Sequence, residues 1–132
     1  MDEAGVQRWL ADYVEAWRSY DPEAIGRLFA EDALYRYHPW DEPTPSQERG
    51  RDAIVASWLE EKDPPGSWAA EYRPSLVHGD RAVAVGSSRY LAADGSVESE
   101  YYNVFFLTFD DEGRCREFAE VYMKRPDTPS AA

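Results

Sequence analysis

From Trp68 to Met123 the chain offers four long strand-like stretches, WAAEYRPSLVH, RAVAVGSSRYLA, ESEYYNVFFLTF and CREFAEVYM, separated only by the turn-forming clusters HGD, ADGS and DDEG. Connections this short join antiparallel neighbours. The C-terminal half is therefore expected to be a meander of four strands, and the preceding residues must cover one of its faces.

Those preceding residues carry helical spacing. Val6, Trp9, Leu10, Tyr13, Val14 and Trp17 recur at three and four, with Arg8, Asp12, Glu15 and Arg18 between them, which predicts an amphipathic helix. Asp21 and Pro22, an N-cap and a first-turn proline, open a second helix through Ile25, Leu28 and Phe29. After Asp32, LYRYHPW reads as a short strand that stops at Pro39. DEPTPSQERG, with prolines at 43 and 45, reads as a loop. Ile54, Val55, Trp58 and Leu59 mark a third helix, ended by Asp63, Pro64, Pro65 and Gly66. Helices grouped before an antiparallel sheet define an α+β fold, one domain over residues 1–126, with 127–132 expected to form a disordered tail.

The chain has 132 residues, and five Trp, nine Tyr and five Phe give its core large side chains. Its net charge of −12, from 26 acidic against 14 basic residues, repels phosphate backbones and anionic lipid, so neither nucleic acid nor a membrane is an expected partner. Cys115 stands alone, which excludes an internal disulfide and any cysteine-based metal cluster. The two histidines, His38 and His78, are far apart, so no metal is expected, and no G-x-S-x-G elbow supports a serine triad. The start lacks the basic and apolar parts of a signal peptide, and the longest apolar run, VFFL, is too short for a bilayer; a cytoplasmic location is expected.

YVEAWRSYDPEAIGRLFAEDALYRYHPW, then GRDAIVASWLEE, then FFLTFDDEGRCREFAEVYM together resemble the polyketide cyclase SnoaL-like branch of the nuclear transport factor 2-like superfamily. The resemblance implies a conical barrel, a curved antiparallel sheet packed around three N-terminal helices, with an internal cavity and often a homodimer formed through the outer face of the sheet. The superfamily holds isomerases, dehydratases, cyclases, epoxide hydrolases, association domains and proteins without known chemistry, so it names no reaction. Similarity to its steroid isomerases implies Tyr13 as a hydrogen-bond donor to a substrate oxygen. It puts His38, or with an offset of one Tyr37, at the position of the base, and Asn103 or Phe105 at the position of a second donor.

If Asp110 to Gly113 form a four-residue turn, Phe109 faces Arg114, Phe105 faces Phe118 and Asn103 faces Glu120. Alternation then puts Tyr101, Asn103 and Phe105 on one face with Phe118, Glu120 and Tyr122, an amide and a carboxylate among aromatic rings. Such a face suits a pocket floor; the alternative is a wet face, to which Arg114 and Arg116 would belong. Within a pocket Glu120 is a base or a hydrogen-bonding anchor, and His38 a base or a rim residue. Trp17 and Trp58 join Tyr13 as pocket wall or as core.

Three functions fit. The first is a cofactor-independent isomerase, dehydratase or cyclase acting by general acid and base chemistry on an apolar substrate. The second is a protein that binds a similar ligand without turnover, and the third a dimeric protein-interaction domain. Val104, Phe106, Ala119 and Val121 make the other face of the last hairpin apolar, with Glu117 as the exception, and lead us to expect a homodimer.

Overall fold

The computed structural model of the chain describes residues 1–38 and 46–126, apart from the side chains of His38 and Ser46. The expected tail at 127–132 and the first half, 41–45, of the expected loop at 41–50 lie outside the described residues.

Helix α1 (Glu3–Ser19) starts where the Asp2 carboxylate accepts the Gly5 N–H at 2.8 Å, and buries Val6, Trp9, Leu10, Tyr13 and Ala16 along one stripe. It stops at Tyr20, which adopts a left-handed conformation at φ 49° and donates its backbone N–H to the Ala16 carbonyl at 2.8 Å. Helix α2 (Pro22–Leu28) is capped by the Asp21 carboxylate, which accepts the Glu23 N–H at 3.0 Å.

Phe29 begins strand β1 (Phe29–His38) rather than completing α2 as its spacing suggested. Its fully buried ring meets Trp9 and Trp58 edge to face, and its backbone pairs with Cys115, so tertiary packing outweighs the helical register. Strand β2 (Ser46–Arg49) corrects the loop reading of SQER, because Leu34, Tyr35 and Arg36 of β1 pair with it. Helix α3 (Arg51–Glu60) and strands β3 (Trp68–His78), β4 (Arg81–Leu91), β5 (Val97–Phe109) and β6 (Cys115–Lys124) follow as the sequence implies.

The six strands form one curved sheet in the order β2-β1-β6-β5-β4-β3. It differs from the expected barrel in two respects. The sheet is open, with β2 and β3 as its edges, and β1 runs parallel to β6 while every other pair is antiparallel. The mixed α+β class holds.

The last hairpin is two residues out of the expected register: Phe105 faces Glu120 and Asn103 faces Tyr122. Asp110 accepts the backbone N–H groups of Glu112 and Arg114, both at 2.9 Å, which lengthens the loop by one residue and sets Phe109 opposite Cys115. A bulge next to Arg116 adds the second residue, since Thr108 faces Glu117. The two single steps together restore the expected faces from Glu117 onward, because the pleat repeats every two residues, while Cys115, between the steps, turns inward beside Phe109.

One close approach fixes the β3–β4 end of the sheet. A Cβ at Gly86 would collide with the Glu71 carbonyl oxygen and stand 2.8 Å from the Tyr72 Cα. Only glycine lets Tyr72 settle on the inner face there. Gly86→Ala should cost at least about 2 kcal/mol by urea unfolding; an unchanged midpoint would mean that the two strands part without penalty.

Candidate functional site

The concave face of the sheet, α1 and the end of α3 enclose a cavity of about 400 Å³. Tyr13 projects into it because it lies on the buried stripe of α1, and Tyr35, Tyr72, Ser88, Asn103 and Glu120 meet it from the inner faces of β1, β3, β4, β5 and β6. Tyr90, Tyr101 and Tyr122 continue the wall, while Trp17, Tyr20, Glu61 and Asp63 form the helical side of the mouth.

Polar contacts at the floor converge on Asn103, which is only 4% exposed. Its carbonyl oxygen accepts the Ser88 hydroxyl at 3.0 Å, and its amide nitrogen donates to Glu120 Oε1 at 3.5 Å, the long end of a hydrogen bond.

Burial raises the Glu120 pKa to about 7, and the Asn103 amide opposes that rise. Tyr13, Tyr35 and Tyr72 are pushed up, first by burial and then by neighbours that include Glu120. Tyr90 is raised to about 12 by burial, Asp63 and Glu120, in that order. The site therefore combines a carboxyl group that titrates near neutrality with hydroxyls that stay protonated.

The mouth is pinned by contacts between α1 and the segment after α3. Asp63 accepts the Trp17 indole N–H at 3.0 Å and the Tyr20 hydroxyl at 3.4 Å, and its own backbone N–H donates to the Tyr20 oxygen at 2.8 Å. Trp17 also stacks on Trp68 with 3.6 Å between ring centroids.

Of the residues singled out from sequence, Tyr13, Asn103 and Glu120 share this cavity, and Trp17, Trp58, Tyr101 and Tyr122 line it. Phe105 and Phe118 do not line it; they are fully buried in the layer beneath, packed on Tyr13. His38 ends β1, and its side chain lies outside the described residues. Tyr37, its alternative, packs against the core rather than lining the cavity. Sequence reading missed Tyr35, Tyr72, Ser88, Tyr90 and Asp63. Ser88 and Tyr90 were within reach of it, since Tyr101 pairs with Ser88 and alternation carries Tyr90 to the same face. Among the described residues no group of three or more His, Cys, Asp or Glu is placed to hold a metal ion, and no helix is long and apolar enough to cross a membrane.

A family model described as the SnoaL-like domain matches residues 10–118. The chain belongs to the SnoaL-like family. No curated protein matches it. Among solved structures, this SnoaL-like chain is similar to an NTF2-like protein of unknown function from Mesorhizobium loti, at 23% identity over 92% of this chain and 93% of that one, with a TM-score of 0.64. It is also similar to a putative polyketide cyclase from Sinorhizobium meliloti, at 24% identity over 92% and 100% of the two chains with a TM-score of 0.62. A ketosteroid isomerase-like protein from Erwinia carotovora atroseptica is similar at 16% identity over 94% and 97%, with a TM-score of 0.65. Identities this low establish the nuclear transport factor 2-like fold and no activity.

Proposed function

We propose that the cavity binds a small apolar molecule and that Glu120 takes a carbon-bound proton from it, the step shared by isomerases, dehydratases and aldol-type cyclases. The observation that carries this reading is one carboxyl group, raised by burial to about 7, in an aromatic cavity beside an amide and protonated hydroxyls. Tyr13 and Asn103, which both line the cavity, are the donors to the oxygen on which negative charge develops. Asn103 also fixes the carboxyl group it touches.

Exchange of solvent deuterium into the α-carbon of apolar aryl ketones, followed by proton NMR, tests the step. The protein should accelerate exchange, and Glu120→Gln should remove roughly two to four orders of magnitude of that acceleration while ligand still binds. Binding without any exchange would leave a carrier protein.

We infer further that the convex face of the sheet is covered by a second copy of the chain. Leu76, Val83, Phe106 and Ala119 form one row across four strands, and Val85, Val104 and Val121 the next. Leu76 is 64% and Phe106 50% exposed, more than isolated surface residues explain when they adjoin a hollow of about 580 Å³. Arg36, Arg81 and Glu117 border that hollow, so the face carries charges of both signs around its apolar rows. Native mass spectrometry at micromolar concentration should give twice the chain mass, and Phe106→Glu should halve it. A parent protein that runs as a monomer removes the dimer.

A further inference from the structure

The cavity wall holds nine aromatic rings and three carboxylates, Glu61, Asp63 and Glu120, and its lining contains no lysine, arginine or histidine among the described residues. Residues 39–45, Pro-Trp-Asp-Glu-Pro-Thr-Pro, hold no basic residue, and His38 before them, whose side chain lies outside the described residues, is the one basic group of that segment. None of the three carboxylates forms an ion pair with a described residue. Among the described residues, the hydrogen-bond partner found for the Glu120 carboxylate is the Asn103 amide, at the long contact to Oε1.

A partly buried carboxylate without a counterion is costly, and ring faces attract positive charge. An anionic ligand would bring its charge against three of its own sign, and a neutral one would leave Asp63 and Glu120, the two that are partly buried, without a counterion among the described residues. We propose that the cavity takes an organic cation, a protonated or quaternary amine on an apolar ring-sized body, with the positive group at the mouth beside Asp63 and Glu61 and the body reaching Glu120.

Asp63 suits the role of anchor because the Trp17 indole and the Tyr20 hydroxyl already orient its carboxylate. Tyr90 lines the cavity between the mouth and the floor strands, with its ring 6.4 Å from that of Trp17 and 5.8 Å from that of Tyr101. Lys62, whose ammonium stands 5.8 Å from the Tyr20 ring centroid without lining the cavity, shows a ring of the mouth already accepting a cation. With the ammonium held at the mouth, Glu120 keeps the proton-accepting task assigned to it above. The inference rests on that small-molecule reading and adds the charge of the ligand to it.

Titrations with benzyltrimethylammonium and with its uncharged carbon analogue neopentylbenzene, at low salt, test the proposal through the fluorescence of Trp17 and Trp58. The cation should bind roughly tenfold or more tightly than the neutral compound. Asp63→Asn combined with Glu61→Gln should bring that preference close to unity. Asparagine retains an acceptor for the Trp17 indole, and exposed Glu61 alone serves as a second, milder variant. Glu120→Gln should leave most of the preference in place. Equal or tighter binding of neopentylbenzene overturns the charge inference and spares the small-molecule reading, whereas failure of both compounds at millimolar concentration overturns both. Loss of the preference in Glu120→Gln alone overturns the placement of the cation at the mouth.

Discussion

Phe118→Ala is expected to lose about 3–5 kcal/mol of stability, a fall of roughly 10–20 °C in Tm for a chain of this length. Phe118 is 1% exposed and lies where the helices meet the sheet. Its ring is parallel to that of Tyr35 with 4.5 Å between centroids, nearly parallel to that of Tyr13 at 5.8 Å, and tilted on Phe105 at 4.9 Å. Removing it takes away transfer energy and ring contacts together, and the surrounding strands cannot close the void without breaking their pairing. Because Tyr13 rests on it, the same change should loosen the hydroxyl that the proposed chemistry needs. Phe118→Leu, which fills most of the space, should cost far less. Urea unfolding of the three proteins decides the matter, and a loss below about 1 kcal/mol for alanine would mean that the ring packs against little.

The strands and helices were legible because their signals are local. Asp2, Asp21 and Pro22 mark helix starts, the apolar stripe of α1 names its buried face, and HGD, ADGS and DDEG end the strands. Pairing over long distances was not. The parallel contact between β1 and β6 joins segments about eighty residues apart, and nothing in LYRYH records it. For the same reason Tyr35 read as a plain strand residue, although its partner Phe118 places it on the inner face. Asn103 and Glu120 were found despite an incorrect register, because an error of two preserves the face where an error of one would have set them on opposite faces of the sheet. Asp63 looked like a helix terminator and nothing more, since its two partners come from the end of α1, where Tyr20 reaches it through a left-handed backbone that no residue type in that position announces.

Glu120→Gln should make the protein more stable than its parent at pH 8 by about 1–3 kcal/mol, and this advantage should vanish near pH 4. The sign follows from the direction of the shift. The folded pKa of Glu120, about 7, lies above the ordinary carboxylate value of 4.5, so between them the folded chain holds a proton that the unfolded chain has released. The stabilisation is complete in acid and is lost as pH rises through about 7, when the carboxylate must ionise in its cavity. The hydroxyls of Tyr13, Tyr35, Tyr72 and Tyr90 and the amide of Asn103 act on that charge, and none of them brings a positive charge to offset it. Partial solvent access to Glu120 keeps the effect below the full shift. Glutamine has no charge to bury, so it escapes the penalty, while the many other acidic residues titrate alike in both proteins and cancel in the difference. In catalysis the sign reverses, because the base must be ionised: exchange by the parent should rise with pH to a plateau with a midpoint near 7. Burial thus costs the empty fold stability at the pH where the carboxylate becomes a usable base, and an organic cation at the mouth would recover part of that cost on binding. Urea unfolding of parent and variant from pH 4 to 8 measures the difference. A flat difference would place the carboxylate in bulk solvent and remove Glu120 as the base.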